Sequence, residues 1–200
     1  HLYDVYKAPL LKNEKIGKVG IFLPAQKNQL PAGSIAISPD GQFHIVTRNK
    51  AQTLRQARSS KNAIPLGLYL SQKMDNGQWG PYTAIAFSEN SEYSFGQPSI
   101  STDGKKLFFV SDKNGGQGKT DIYMSTQTAD GWSEPVNLGS KINTGGRELF
   151  PYYHSSGKLY FSSDGHNGLG GIDIFYSTFD GEWSEPTRLA EPINSSFDDF

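Results

Sequence analysis

Several short stretches of the chain carry side chains able to do chemistry, and each can be tested against the spacing its chemistry needs. Gly118-Lys119-Thr120 follows an apolar run and has the ending of a phosphate loop, whose backbone amides cradle phosphates ahead of a helix. Lys113 stands where that motif needs an earlier glycine, and a strand pattern follows instead of a helix. Asp112-Lys113-Asn114 and Asp164-Gly165-His166 begin like calcium loops. Such loops need a sixth-position glycine and a twelfth-position glutamate, and here those places hold Gln117 or Leu169 and Tyr123 or Phe175. His1, His44, His154 and His166 have no metal-ligand spacing, and cysteine is absent, so no metal and no cofactor is implied. No Gly-x-Ser-x-Gly elbow occurs. Glu134 and Glu185 would suit a glycosidase's carboxylate pair, but they recur at one place in a repeat, whereas a catalytic pair is unique.

The elements that would position these groups follow from composition. The 200 residues include 22 Gly and 11 Pro, with aromatic residues at 12%. Turns are therefore frequent, and the segments between them favour strands. With 19 basic and 20 acidic side chains, a net charge of -1 shows no nucleic-acid footprint. The longest aliphatic or aromatic run, 107–110, is far too short for a spanning helix. The opening without Met, inside an already patterned stretch, is read as a processed or trimmed polypeptide with flanking domains absent.

One cassette recurs along the chain. Gly104-Lys-Lys-Leu-Phe-Phe-Val-Ser-Asp leads through Gly115-Gly116-Gln117-Gly118 to Asp121-Ile122-Tyr123, Gly131-Trp132-Ser133-Glu134-Pro135 and Ile142-Asn143-Thr144. Gly157-Lys-Leu-Tyr-Phe-Ser-Ser-Asp leads likewise to Asp173-Ile174-Phe175, Trp183-Ser184-Glu185-Pro186 and Ile193-Asn194-Ser195. A divergent copy has Pro39-Asp40-Gly41, Gly67-Leu68-Tyr69 and Trp79-Gly80-Pro81, and Asp4-Val5-Tyr6 matches the middle of a still earlier one. Trp79, Trp132 and Trp183 are 53 and 51 residues apart.

Each cassette divides into four short strands, A to D, joined by turn signals, the pattern of an antiparallel meander. In the third copy A is expected over 98–101, B over 106–111, C over 122–126, and D after Trp132. Strand B is apolar at consecutive positions, so both of its faces must be covered. Stacked four-stranded sheets make a β-propeller. The expectation is all-β: a half blade over 1–30, then full blades over 31–90, 91–144 and 145–200, as part of a larger propeller. The repeated tryptophans are expected to bury a ring between blades. Asp121 and Asp173 are expected to hydrogen-bond the turn amides before strand C.

These motifs, above all 101–112, Asp121-Ile122-Tyr123 and 163–175, closely resemble the WD40-like propeller repeats. These repeats, also called PD40 or TolB-like, occur in OmpA-family cell-envelope proteins of Bacteroidota. The resemblance implies a non-catalytic propeller in the periplasm or at the outer membrane, with an envelope or outer-membrane protein as partner. It further implies a type IX secretion or gliding role. Peptidoglycan would be bound only through a flanking domain. No Trp precedes 19–23, which departs from the pattern.

Alternating strand direction puts the tight A-to-B and C-to-D turns at one end of the sheets and the long B-to-C and D-to-A connections at the other. The second copy carries an insertion: 26 residues separate Gly41 from Gly67, against 17 from Gly104 to Asp121 and 16 from Gly157 to Asp173. It holds Arg48, Lys50, Arg55, Arg58 and Lys61, with no acid between Asp40 and Asp75. Together with Lys113, Lys119, Arg147 and His166 these mark the long-loop end as the expected partner-binding face. A glycan-binding or glycoside-hydrolysing propeller and a purely structural spacer are the alternatives.

Overall fold

The computed structural model describes residues 5–9, 11–12, 15–23, 33–50, 64–89 and 92–200. They form antiparallel sheets with a single helical turn, α1 (Ala86–Glu89). β1 (Val5–Lys7) and β2 (Gly20–Leu23) make a two-stranded sheet. A four-stranded sheet follows in sequential order: β3 (Ile35–Ile37), β4 (Phe43–Asn49), β5 (Leu66–Gln72) and β6 (Thr83–Ala84). The next contains β7 (Phe95–Ile100), β8 (Lys106–Ser111), β9 (Asp121–Thr128), β10 (Gly131–Trp132) and β11 (Val136–Asn137). The last repeats it with β12 (Glu148–Tyr153), β13 (Lys158–Ser163), β14 (Asp173–Asp180), β15 (Glu182–Trp183) and β16 (Thr187–Arg188). No helix among the described residues is long and apolar enough to cross a membrane.

Two details depart from the sequence expectation. Strand A of the third copy starts at Phe95, not at residue 98, because the ladder runs through a bulge between Gly96 and Ser99. Gln97 adopts φ 53° there, and Pro98 brings no N–H to satisfy. The fourth copy repeats the device, with Phe150 at φ 51° before Pro151. Strand D is two short pieces on one partner, β10 and β11 on β9, and β15 and β16 on β14. Pro135 and Pro186 fall between the pieces, which blunts an outer edge that would otherwise template further pairing.

The unbroken apolar run of β8 serves two interfaces. Leu107 and Phe109 pack with Ile45, Leu68 and Ile85 of the preceding blade region. Phe108 and Val110 pack with Leu159, Phe161, Phe175 and Trp183 of the following blade. Successive side chains of a strand point to opposite faces, so a sheet between two others reads as continuous hydrophobicity. The A-to-B turns close on glycine where φ is positive, 73° at Gly104 and 81° at Gly157.

Candidate functional site

The long connections lie together at one end of the sheets. Lys119 N donates to Gly146 O (2.8 Å), and Thr120 forms a parallel bridge with Arg147. Asp199 N donates to Ile172 O (2.7 Å), joining 164–172 to the last connection. Thus the B-to-C loops of the third and fourth copies are each fastened to the connection that follows strand D of the same copy.

Buried carboxylates shape these loops. Asp121 is 1% exposed and accepts from the amides of Gln117 and Gly118 and from Asn137 Nδ2 (2.8 Å). Those amides are the ones a phosphate loop would offer to its ligand; here the chain's own carboxylate fills the nest. Asp173 repeats the motif, with Oδ2 accepting from Leu169 N and Gly170 N at 2.9 Å. Glu148 is fully buried and takes Thr144 N, Thr144 Oγ1 (2.7 Å) and Ser163 Oγ (2.9 Å). Asp199 holds Ser195 N (2.6 Å) and its hydroxyl in the same manner.

A pair of asparagines completes the frame. Asn143 accepts from Ile122 N (2.8 Å) and donates to Ile122 O (3.0 Å), and Asn194 clasps Ile174 likewise at 2.8 and 2.9 Å. Each side-chain amide thus replaces a missing ladder partner at the start of strand C. The recurrence of Ile-Asn-Thr and Ile-Asn-Ser was the sequence signal for this role; composition and charge carry none.

The proposed contact residues fare differently. Arg147 is half exposed and pairs through Nε with Asp164 Oδ2 at 2.9 Å. Burial works to raise the Asp164 pKa, but hydrogen bonds from the Arg147 amide and guanidinium, with the charges of Arg147 and Lys119, outweigh it. The carboxyl therefore sits below its ordinary value. Lys113 and Lys119 have no ion-pair partner among the described residues. His166 is half-buried, with Nε2 at 2.9 Å from Ile142 O and its ring against Phe161 and Phe175. Arg48 lies over the rings of Tyr82 (4.6 Å) and Tyr69 (5.9 Å), and Lys50 Nζ donates to Tyr93 O (2.8 Å). Both cations are thereby engaged by their own fold. Arg55, Arg58 and Lys61 lie outside the described residues. Trp183 sits edge-on to Phe108 (6.3 Å), Trp132 to Phe43 (6.4 Å) and Trp79 to Phe22 (5.5 Å), each ring reaching the preceding sheet.

Beside these loops, between the inner strands, lies a cleft of about 390 Å³. Gln97 and Phe150, the two bulged residues, line it with Thr47, Val110, Asp112 and Thr120. Gln97 spans the sheets, its amide donating to Thr47 Oγ1 (2.9 Å) and its Oε1 accepting from Phe150 N (2.7 Å). Non-glycine residues at positive φ, Phe150 especially, store backbone strain. The cleft wall is therefore held rigidly by groups from three successive sheets.

No family model matches the sequence, and no curated protein does. Solved structures do. TolB from Acinetobacter baumannii superposes with TM-score 0.53 at 18% identity, over 88% of this chain and 36% of that chain. A putative TolB from Agrobacterium tumefaciens gives TM-score 0.58 at 18% identity, over 92% of this chain and 59% of that one. The fold is that of a TolB-like β-propeller. The chain spans less than two-thirds of either TolB structure. Trypanosoma rangeli sialidase also matches, at TM-score 0.42 and 14% identity over 92% of this chain and 33% of that one, too slight a likeness to bear on activity. In this TolB-like propeller the repeated glutamates Glu134 and Glu185 are both exposed at the broken outer strands, and neither lines the cleft.

Proposed function

We propose that the chain is a non-catalytic protein-interaction scaffold of the bacterial cell envelope, engaging an envelope or outer-membrane protein through its long-loop end. The observation that carries this reading is the construction of that end. Buried Asp121, Asp173 and Glu148 lock glycine-rich loops into fixed shapes, and the loops so fixed carry Lys113, Lys119 and Arg147. A rigid surface loses little conformational entropy when a partner binds, and Lys113 and Lys119, without ion-pair partners among the described residues, attract an acidic one. The periplasmic or outer-membrane location, and a place in an outer-membrane or type IX secretion assembly, rest on the repeat resemblance. The experiment is crosslinking and affinity capture from envelope extracts with the wild-type protein and a Lys113→Glu/Lys119→Glu variant. Capture of a defined acidic partner, lost in the variant while circular dichroism is unchanged, supports the reading. Equal capture by both moves the binding face elsewhere. A second pair of captures with Arg55→Glu/Arg58→Glu/Lys61→Glu tests the insertion in the same way.

A further inference from the structure

His44 occupies a place that the other repeats give to leucine. The A-to-B turns close by equivalent hydrogen bonds, Ser38 N to Phe43 O, Ser101 N to Lys106 O and His154 N to Lys158 O. His44, Leu107 and Leu159 are therefore the same repeat position, and all three are fully buried. Leu107 belongs to the cluster shared with the preceding sheet, and so does Leu159. His44 likewise faces its preceding sheet, the β1–β2 hairpin, across the ring of Phe22 (5.7 Å).

The histidine's surroundings suit only its neutral form. Trp79 stands edge-on at 4.3 Å, Tyr82 at 5.6 Å, and Nε2 lies 3.1 Å from the Tyr82 hydroxyl. Nδ1 is buried with no hydrogen-bond partner. From β3 and β5 the register neighbours are Ile37 and Ser71, neither charged. Two cations sit on its ring neighbours: Arg48 over Tyr82 at 4.6 Å, and Lys7 over Phe22 at 5.2 Å. No carboxylate among the described residues lies within ion-pair distance of the ring. An imidazolium here would be a buried charge with no carboxylate to pair it.

We infer that His44 makes the seam between the β1–β2 hairpin and the β3–β6 sheet acid-labile, a proton-operated latch at one junction of a fold whose other two seams carry leucine. Protonation requires the ring to reach water, and the way to water is to part Phe22 from Trp79 and His44. The Leu107 and Leu159 seams have nothing to protonate at that position and stay closed. Burial lowers the His44 pKa from 6.5 to about 4 in the closed seam. Acidification through this interval therefore favours the open seam by up to about two orders of magnitude in its equilibrium constant.

The test is hydrogen exchange read by mass spectrometry at pH 7 and at about pH 4.5, corrected for intrinsic exchange rates. In the wild type, peptides covering 19–23 and 43–47 should lose protection in acid at least tenfold more than peptides covering 106–111 and 158–163. His44→Leu, the residue the fold itself uses at this position, should abolish that selective loss. His44→Gln, neutral at every pH and still polar toward Tyr82, should abolish it as well and serves if the leucine variant misfolds. Selective loss that persists in a folded neutral variant, or its absence from the wild type, overturns the latch.

Discussion

Asp121 and Asp173 share a repeat position and a loop-capping task, yet one is fully satisfied and the other is not. Asn137 supplies Asp121 with a donor at 2.8 Å from strand D. The counterpart of Asn137, set opposite Phe175 as Asn137 is set opposite Tyr123, is the exposed Arg188. Asp173 Oδ1 is left buried without a partner. Arg188→Asn should therefore stabilise the protein by about 1 kcal/mol, the net worth of a hydrogen bond to a buried charge less side-chain ordering. A rise in urea midpoint at unchanged slope would verify it. Asp121→Ala should cost about 2–3 kcal/mol, since it leaves the Gln117 and Gly118 amides and Asn137 unpaired. Faster amide exchange across 112–120 would accompany that loss. The sequence reading could assign these aspartates to turn amides because they recur before strand C. The defect at Asp173 was not legible, because it depends on which strand D residue lands opposite, and β11 and β16 are too short for their register to be read from pattern.

At the scale of the element, the same apolar letter has different worth depending on what covers it. Phe108 and Tyr160 are equivalent residues of strand B, opposite Met124 and Tyr176 respectively. Phe108 is fully buried against Tyr153 (5.0 Å, stacked) and Trp183, whereas Tyr160 is only half-buried. Phe108→Ala should cost about 3–5 kcal/mol through the cavity it opens in the seam. Tyr160→Ala should cost no more than about 1–2 kcal/mol. Paired urea denaturations would separate them, and equal losses would contradict the seam assignment. Strands B and C and the tight turns were readable because their signals are local: consecutive apolar residues, Asp-Gly turns, a fixed spacing. The bulges at Gln97 and Phe150 were not. The sequence expectation began strand A at 98, whereas the ladder continues through the bulge to Phe95, with inter-sheet bonds from Gln97 to Thr47 and from Phe150 to Gln97 at that point. The cleft those bulges line has no sequence signature of its own, since its wall is drawn from three repeats at once.

For the whole molecule the decisive variable is pH, because net charge is close to zero and a few groups dominate the linkage. An unfolded chain protonates a histidine near 6.5, while His44 in the fold holds out until about 4. Between these values the unfolded state binds the extra proton, so stability falls as pH drops through 6.5 and this contribution levels off below about 4. The loss amounts to something on the order of 3 kcal/mol at the low end. Asp40 and Asp103 titrate in a separate window. Hydrogen bonds from Ser38 and Ser101 hold their carboxyls below the ordinary value, so what they contribute is lost only as pH falls past the unfolded carboxylate range toward those lowered values. A urea series between pH 7 and pH 4.5 therefore isolates His44: wild-type stability should decline steadily, and His44→Leu should flatten the decline. If the two profiles run parallel, the acid sensitivity belongs to another group. If the wild-type loss appears in exchange at 19–23 and 43–47 but not in the global transition, the hairpin seam opens beneath a sheet stack that stays folded. That outcome would mean the leucine seams hold the other three sheets together as a separate cooperative unit.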